Sequence, residues 1–214
     1  DLPLIKYVAQ TKKPMIISTG MCNLEEIGEA IEAAYSGGCK QIAILHCVSG
    51  YPAPAEEYNL FTIPKLIEYF KLVTGLSDHT INNVTAITSI ALGASIIEKH
   101  FTLDKNGGGP DDSFSLEKIE MKQLCKDIKI SWSSLGTISH NLSPSEKNNI
   151  QFRRSLYFLK DLKAGDIITL NDIKSVRPGY GMAPKFFNEI VGKKILKNVK
   201  AYTPVLSNLI EVDN

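Results

Sequence analysis

The sequence predicts an α/β protein in which a parallel sheet is followed by a small β-rich domain. Two observations carry the sheet: short apolar runs alternate with amphipathic stretches from Lys13 to about Trp132, and that unit repeats four times. The third is a change of pattern after the polar, proline-containing segment TISHNLSPSEKNNI at residues 137 to 150, which has linker composition. The 214 residues carry 43% hydrophobic and 22% charged side chains and a net charge of +1, so disorder, collagen and coiled coil are excluded.

The elements follow in order. Pro14 to Thr19 (PMIIST) reads as a buried strand. Asn23 to Ser36 reads as a helix, with Asn23 as its N-cap, Glu26 at the capping-box position and Gly37 and Gly38 as its stop. Gln41 to Cys47 (QIAILHC) is the second strand, and a proline-rich loop from Tyr51 leads to a helix near Ile63 to Phe70. Leu72 to Leu76 is a short strand, Asn82 to Leu92 a helix and Ser95 to Thr102 (SIIEKHFT) a fourth strand. A long glycine-rich loop precedes a helix from about Leu116 to Ser133. In the second domain Phe152 to Asp161, Ile167 to Ile173 and Lys194 to Val199 are short runs separated by Gly, Pro and Asn turns, the signature of strands.

Charge is divided between these regions. Residues 1 to 150 hold 13 basic and 17 acidic side chains, whereas residues 151 to 214 hold 11 and 6. Aromatics are not interleaved with the basic residues as a base-stacking platform requires, which argues against nucleic acid as a partner. No apolar run approaches the roughly 20 residues that cross a bilayer, and no basic, apolar and small-residue succession reads as a secretory signal. Cys22, Cys39, Cys47 and Cys125 form no metal-binding spacing and read as reduced thiols of a cytoplasmic protein. A catalytic Cys47 beside His46 is disfavoured, since strand neighbours point to opposite faces. The missing initiator Met suggests an excised piece.

In parallel α/β sheets ligands gather beyond the carboxyl ends of the strands. Those positions hold Ser18-Thr19-Gly20, Ser49-Gly50-Tyr51, Ser77-Asp78-His79 and Glu98-Lys99-His100. His79 and His100 end consecutive strands about 4.8 Å apart, so their imidazoles can converge on a divalent metal or serve separately as acid–base groups. Asp78, Glu98 and Asp111 offer carboxylates to orient a ring N–H or to join a metal. Ser18, Thr19, Gly20 and Ser77 offer donors ahead of helices, which serve capping, phosphate binding or both. The loop Gly107-Gly108-Gly109-Pro110-Asp111 is either a mobile lid or a turn that directs Asp111 inward.

Four ordered motifs, GLSDHT at 75 to 80, EKHFTLD at 98 to 104, GGPDDSFSLE at 108 to 117 and RRSLYFLKDLKAGDIITLNDIKSVRPGYG at 153 to 181, resemble the C-terminal part of the sialic acid synthases. The FSLE and SVRPGYG segments resemble the pseudaminic acid synthases within that family. The resemblance implies the C-terminal half of a (β/α)8 TIM barrel at residues 1 to 136, a linker at 137 to 151 and a SAF domain, antifreeze-like and of β-clip type, at 152 to 214. It also implies that His79 and His100 ligate a divalent ion, Mn²⁺ first and Mg²⁺ or Co²⁺ as alternatives. Ser18 and Ser77 fall at the phosphate and carboxylate of phosphoenolpyruvate, Ser49 and Tyr51 near the sugar or phosphoenolpyruvate, and Asp111 at a substrate hydroxyl. Glu98 joins them at the substrate site. Arg177 is expected to reach the active site of the neighbouring subunit in a domain-swapped homodimer and contact an N-acetyl group; on its own it reads as an exposed turn arginine. At Ser49-Gly50 the sequence departs from the commoner family pattern, which places an Asn there.

The implied reaction condenses phosphoenolpyruvate with an open-chain acetamido sugar and releases phosphate. Pseudaminic acid is the expected product, with N-acetylneuraminate or legionaminate as alternatives. A complete barrel takes about 250 residues, so the first four strands and their phosphoenolpyruvate-binding lysines are expected to lie elsewhere, and this piece alone to be inactive. Two rivals remain on the residues. A stand-alone carbohydrate-binding or antifreeze-like module calls for a flat threonine face, and residues 151 to 214 hold only Thr169 and Thr203. A metal-dependent hydrolase on the same scaffold calls for further ligands at other strand ends.

Overall fold

A computed structural model of the chain describes residues 1 to 211; the last three residues of the domain expected at 152 to 214 lie outside the described residues. The chain divides into two compact units, Asp1–Thr137 and Ile138–Asn214.

The first unit is a four-stranded sheet of β1 (Met15–Ser18), β2 (Ile42–Cys47), β3 (Val73–Asp78) and β4 (Ile97–Lys99), parallel throughout and in sequence order. The helices are α1 (Leu2–Ala9), α2 (Leu24–Ser36), α3 (Thr62–Phe70), α4 (Val84–Ala91) and α5 (Lys118–Leu135). This is a half-barrel sheet of the α/β kind. Helix α2 starts where the sequence predicts: the Asn23 side chain accepts from the Glu26 N–H at 3.0 Å, and Glu26 accepts from the Asn23 N–H at 2.8 Å. Its stripe of Ile27, Ile31 and Ala34 is buried with Ile42, Ile44 and Leu66. Leu66 of α3 lies in that same core, whereas Ile63 packs with Tyr58, Leu76 of β3, Ala86 of α4, Leu124 of α5 and Leu116, which precedes that helix.

Helix α1 is absent from the sequence reading. It is eight residues long and buries only Ala9, so its apolar period is too short to register. Docking onto α2 stabilises it, and Gly37 permits the approach, because a Cβ there would stand 2.6 Å from the Ala9 Cβ. A second close approach explains Gly75 within β3, where a Cβ would lie 2.3 Å from the Ile96 carbonyl oxygen. Two strand limits also differ. Strand β3 runs on to Asp78, paired through Ser77 with Cys47 and through Asp78 with Lys99. Strand β4 stops at Lys99 although apolar residues continue, because Leu116 captures the next residues: its N–H donates to the His100 carbonyl at 2.9 Å and its carbonyl accepts from Thr102 at 2.9 Å. On the sheet face away from the helices Ile16 and Val73 are more than half exposed.

The second unit opens with a helical turn, α6 (Pro144–Lys147), inside the segment read as a linker; Ser143 caps it and Pro144 starts it. Strand β5 (Ser155–Phe158) pairs antiparallel with β6 (Ile173–Val176). Of the runs expected to be strands at 167 to 173 and 194 to 199, only Ile173 enters a ladder, as the start of β6; elsewhere they form single bridges, Ile167 with Lys194, Ile195 with Ile210 and Val199 with Leu162, since the intervening turns leave too few consecutive residues for a ladder. Leu156, Phe158, Ile168, Ile173, Ile190, Ile195 and Val205 make its core, joined from the short helix α7 (Phe187–Ile190).

Candidate active site

Parallel pairing sets Cys47, Ser77 and Glu98 side by side across β2, β3 and β4. The Ser77 hydroxyl donates to Glu98 Oε1 at 2.7 Å. His79 is the first residue beyond β3 and is buried. Its Nδ1 lies 2.7 Å from the Val48 carbonyl oxygen. A carbonyl only accepts, so Nδ1 carries the proton and Nε2 keeps a lone pair in the neutral ring. That Nε2 stands 3.5 Å from the Ser77 Oγ.

His100 follows β4, and its ring centroid is 5.1 Å from that of His79. The Asp111 carboxylate lies 3.6 Å from His100 Nδ1, so the glycine-rich loop does direct Asp111 toward this ring. Tyr51 stacks on His79 with centroids 4.2 Å apart and meets His100 at 5.7 Å. Phe114, 5.1 Å from His100 and 6.2 Å from Tyr51, completes an aromatic wall around the two imidazoles.

The remaining strand-end residues divide. Ser18 ends β1 and is exposed, as is Ser49, whose Oγ would lie 3.0 Å from a Cβ placed on Gly20. Thr19 is not available as a donor: it is buried and its hydroxyl donates to the Leu45 carbonyl at 3.0 Å. Asp78 does not orient either imidazole. It turns to the helix side, where Lys99 Nζ meets its Oδ2 at 2.8 Å and also donates to the carbonyls of Thr80 and Asn82. The tautomer of His79 is therefore set by a backbone carbonyl and not by a carboxylate. Lys99, with 2% of its side chain exposed, has its pKa lowered by burial, against the opposing pull of Asp78. Cys47 lies beside Ser77, Gly20 and Ser49, and burial pushes its thiol up, so it stays protonated and is a poor nucleophile at neutral pH. Arg177 follows β6 in the second unit and is exposed.

Three contributors escaped the sequence reading: the Val48 carbonyl, Phe114, and Tyr58, whose hydroxyl accepts from the His79 N–H at 2.6 Å. A carbonyl has no sequence signature. Phe114 is an aromatic within a polar loop, a signal that was present in GGPDDSFSLE. Among the described residues no group of three or more His, Cys, Asp or Glu side chains is arranged to hold a metal ion. The donor set fits a divalent ion with two imidazole ligands, given the free lone pair on His79 Nε2 and the adjacent His100 ring, and with water or substrate oxygens in the other positions.

Residues 1–140 match the NeuB family and residues 153–211 match the SAF domain. Pseudaminic acid synthase of Helicobacter pylori is 41% identical over 99% of this chain and 62% of its own length. N,N'-diacetyllegionaminic acid synthase of Campylobacter jejuni is 42% identical over 94% of this chain and 61% of its own. The crystal structure of a spore coat polysaccharide biosynthesis protein from Bacillus subtilis superposes with a TM-score of 0.60 at 33% identity, covering 100% of this chain and 65% of that one. The chain thus spans about three fifths of the length of the curated relatives it matches.

Proposed function

This chain belongs to the NeuB family, and from that premise we propose that it serves a synthase condensing phosphoenolpyruvate with an open-chain acetamido sugar to give a nonulosonic acid. The observation that carries the reading is the convergence of His79 and His100 beyond adjacent strands, walled by Tyr51 and Phe114 and flanked by small hydroxyl residues. Pseudaminic acid is the product we favour, from the FSLE and SVRPGYG segments, over N-acetylneuraminate and legionaminate.

In this reading C3 of phosphoenolpyruvate attacks the sugar aldehyde, water adds at C2 and phosphate leaves by C–O cleavage. His79 and His100 hold a divalent ion, Mn²⁺ first among candidates, which when bound supplies Lewis acidity for the aldehyde oxygen. Val48 keeps His79 in the tautomer that presents Nε2. Ser18 and Ser77 bind the phosphate and carboxylate of phosphoenolpyruvate, and Ser49 and Tyr51 lie near the sugar or phosphoenolpyruvate. For Ser77 this requires its hydroxyl to turn from Glu98 to the anion. Tyr51 and Phe114 exclude water from one side, and Asp111 accepts from a sugar hydroxyl. Positive charge for the two anionic groups comes from outside the four described strands, since Lys99 is held by Asp78. Arg177 serves the N-acetyl group in the site of a second copy, within a domain-swapped homodimer. No helix among the described residues is long and apolar enough to cross a membrane, and we assign the reaction to the cytoplasm, where phosphoenolpyruvate is made.

Phosphate release from phosphoenolpyruvate tests the reading. Release is expected only with both a divalent ion and an acetamido sugar, abolished by EDTA and restored by Mn²⁺. Comparing the three candidate sugars identifies the product. Sugar-independent release, or none with any of the three sugars when the whole protein is assayed, overturns the proposal.

A further inference from the structure

We propose that Tyr58 is a positioning residue that holds His79 in its working orientation through the phenolic hydroxyl. The inference rests on the reading of His79 as a working imidazole and extends it to a residue on a different element, in the loop between β2 and α3.

His79 lies past the last paired residue of β3, so the sheet ladder does not fix its backbone. The connection from β2 to α3 does so instead. Its Val48 carbonyl accepts a hydrogen bond from the His79 Nδ1–H at 2.7 Å. Its Ala53 N–H donates to the His79 carbonyl at 3.1 Å. Its Tyr58 hydroxyl accepts the His79 N–H at 2.6 Å and donates to the Ser77 carbonyl at 3.3 Å. Three of the four polar groups of His79 are therefore taken by one connection, and the fourth, Nε2, points to the site beside Ser77.

Tyr58 is itself anchored. It is fully buried in the core with Ile63, Leu76 and Leu116, its ring meets His46 edge-on at 6.3 Å, and its carbonyl contacts the His46 Nε2. A link thus runs from β2 through Tyr58 to the backbone on either side of Asp78. Packing needs only the ring. The hydroxyl, by contrast, meets two backbone groups, and a phenyl ring of the same shape would take the Tyr58 contact from the Ser77 carbonyl and the acceptor from the buried His79 N–H, which lies past the ladder. The backbone would then relax, and with it the Nε2 that the Val48 bond orients. Displacements of about 1 Å at a catalytic group cost on the order of 10²-fold in rate.

The test is Tyr58→Phe in the whole protein, read three ways below its melting temperature. Turnover and Mn²⁺ affinity, the latter from electron paramagnetic resonance titration, are both expected to fall by about 10 to 100-fold, the range for loss of an outer partner of a metal ligand. The KM for phosphoenolpyruvate is expected to stay within about twofold, because no substrate contact is removed. In metal-free protein the His79 imidazole ¹⁵N signals are expected to leave the single Nδ1–H tautomer of the wild type. A lowered melting temperature with unchanged turnover, unchanged Mn²⁺ affinity and unchanged imidazole signals marks Tyr58 as structural only and overturns the proposal. If the variant fails to fold, the wild type decides: a slowly exchanging Tyr58 hydroxyl proton with a nuclear Overhauser effect to the His79 amide supports the link, and its absence overturns it. A wild type that releases no phosphate from phosphoenolpyruvate refutes the synthase reading alone, because the imidazole spectra report on Tyr58 without turnover.

Discussion

Ser77 and Glu98 are register partners on adjacent parallel strands, and the serine hydroxyl donates to the glutamate carboxylate at 2.7 Å. The proton of Ser77 is thereby directed along the sheet. Glu98→Gln keeps an acceptor for it, whereas Glu98→Ala leaves the hydroxyl to rotate. Because Ser77 must leave its acceptor to meet the anion, steady-state kinetics are expected to show Glu98→Ala with a KM for phosphoenolpyruvate about two- to tenfold below that of Glu98→Gln, the equivalent of one neutral hydrogen bond. Equal values for the two variants would assign Glu98 no part in orienting Ser77.

Lys99 and Asp78 form a buried pair, with 2% and 0% of their side chains exposed, that ties β4 to the turn after β3. Removing one charge strands the other. Lys99→Met is expected to destabilise the protein by about 3 to 5 kcal/mol, and the double variant Lys99→Met with Asp78→Leu to recover much of that loss. Urea denaturation measures both. A double variant no more stable than Lys99→Met would show that the carbonyl contacts of Lys99, and not its charge pairing, dominate.

If Arg177 serves the site of a second copy, defects in the two places are complementary. Arg177→Ala and His79→Ala should each be inactive alone. Mixed after dissociation and reassociation, they should regain a fraction of wild-type phosphate release, since one of the hybrid sites then holds both residues. A mixture as inactive as its components argues for Arg177 acting within its own chain, or outside the site.

The second unit has an acid-sensitive joint at Asp172. Burial alone would raise its pKa, but hydrogen bonds from Lys160 and from the Thr169 backbone and hydroxyl outweigh it and hold the carboxyl below 3.8. A depressed folded pKa means that this stabilisation is complete above the ordinary value of 3.8 and is lost as the pH falls through the lower folded one. Asp172→Asn is expected to cost about 2 kcal/mol at neutral pH and to flatten this part of the acid dependence. Hydrogen exchange of peptides from residues 155 to 176, followed from about pH 6 downward in wild type and variant, checks both expectations.

The legible part of the molecule is the part governed by near neighbours. Asn23 and Glu26 announce the start of α2 because a cap acts over three residues. Ser77, His79, Glu98 and His100 stand at strand ends in the sequence reading and in the structure, because an apolar run followed by a polar break marks where a buried strand stops. Alternation along β4 likewise separates Lys99 from the face of Glu98 and His100. Leu116 shows the limit. It lies beyond the whole glycine-rich loop, yet its backbone takes the residues just after Lys99 and so ends β4, which no local pattern records.

By itself, then, the sequence determined the repeated strand and helix units, the change to a basic second unit, and the residues offered at the sheet's carboxyl edge. Only the tertiary structure decided how those residues are used. His79 takes its tautomer from Val48, 31 residues away, and its backbone support from Tyr58, 21 residues away. Asp78 is withdrawn from the site by Lys99 across the same interval of 21 residues. Such partners are chosen by strand register and loop packing, which bring groups together in space without leaving a period in the chain.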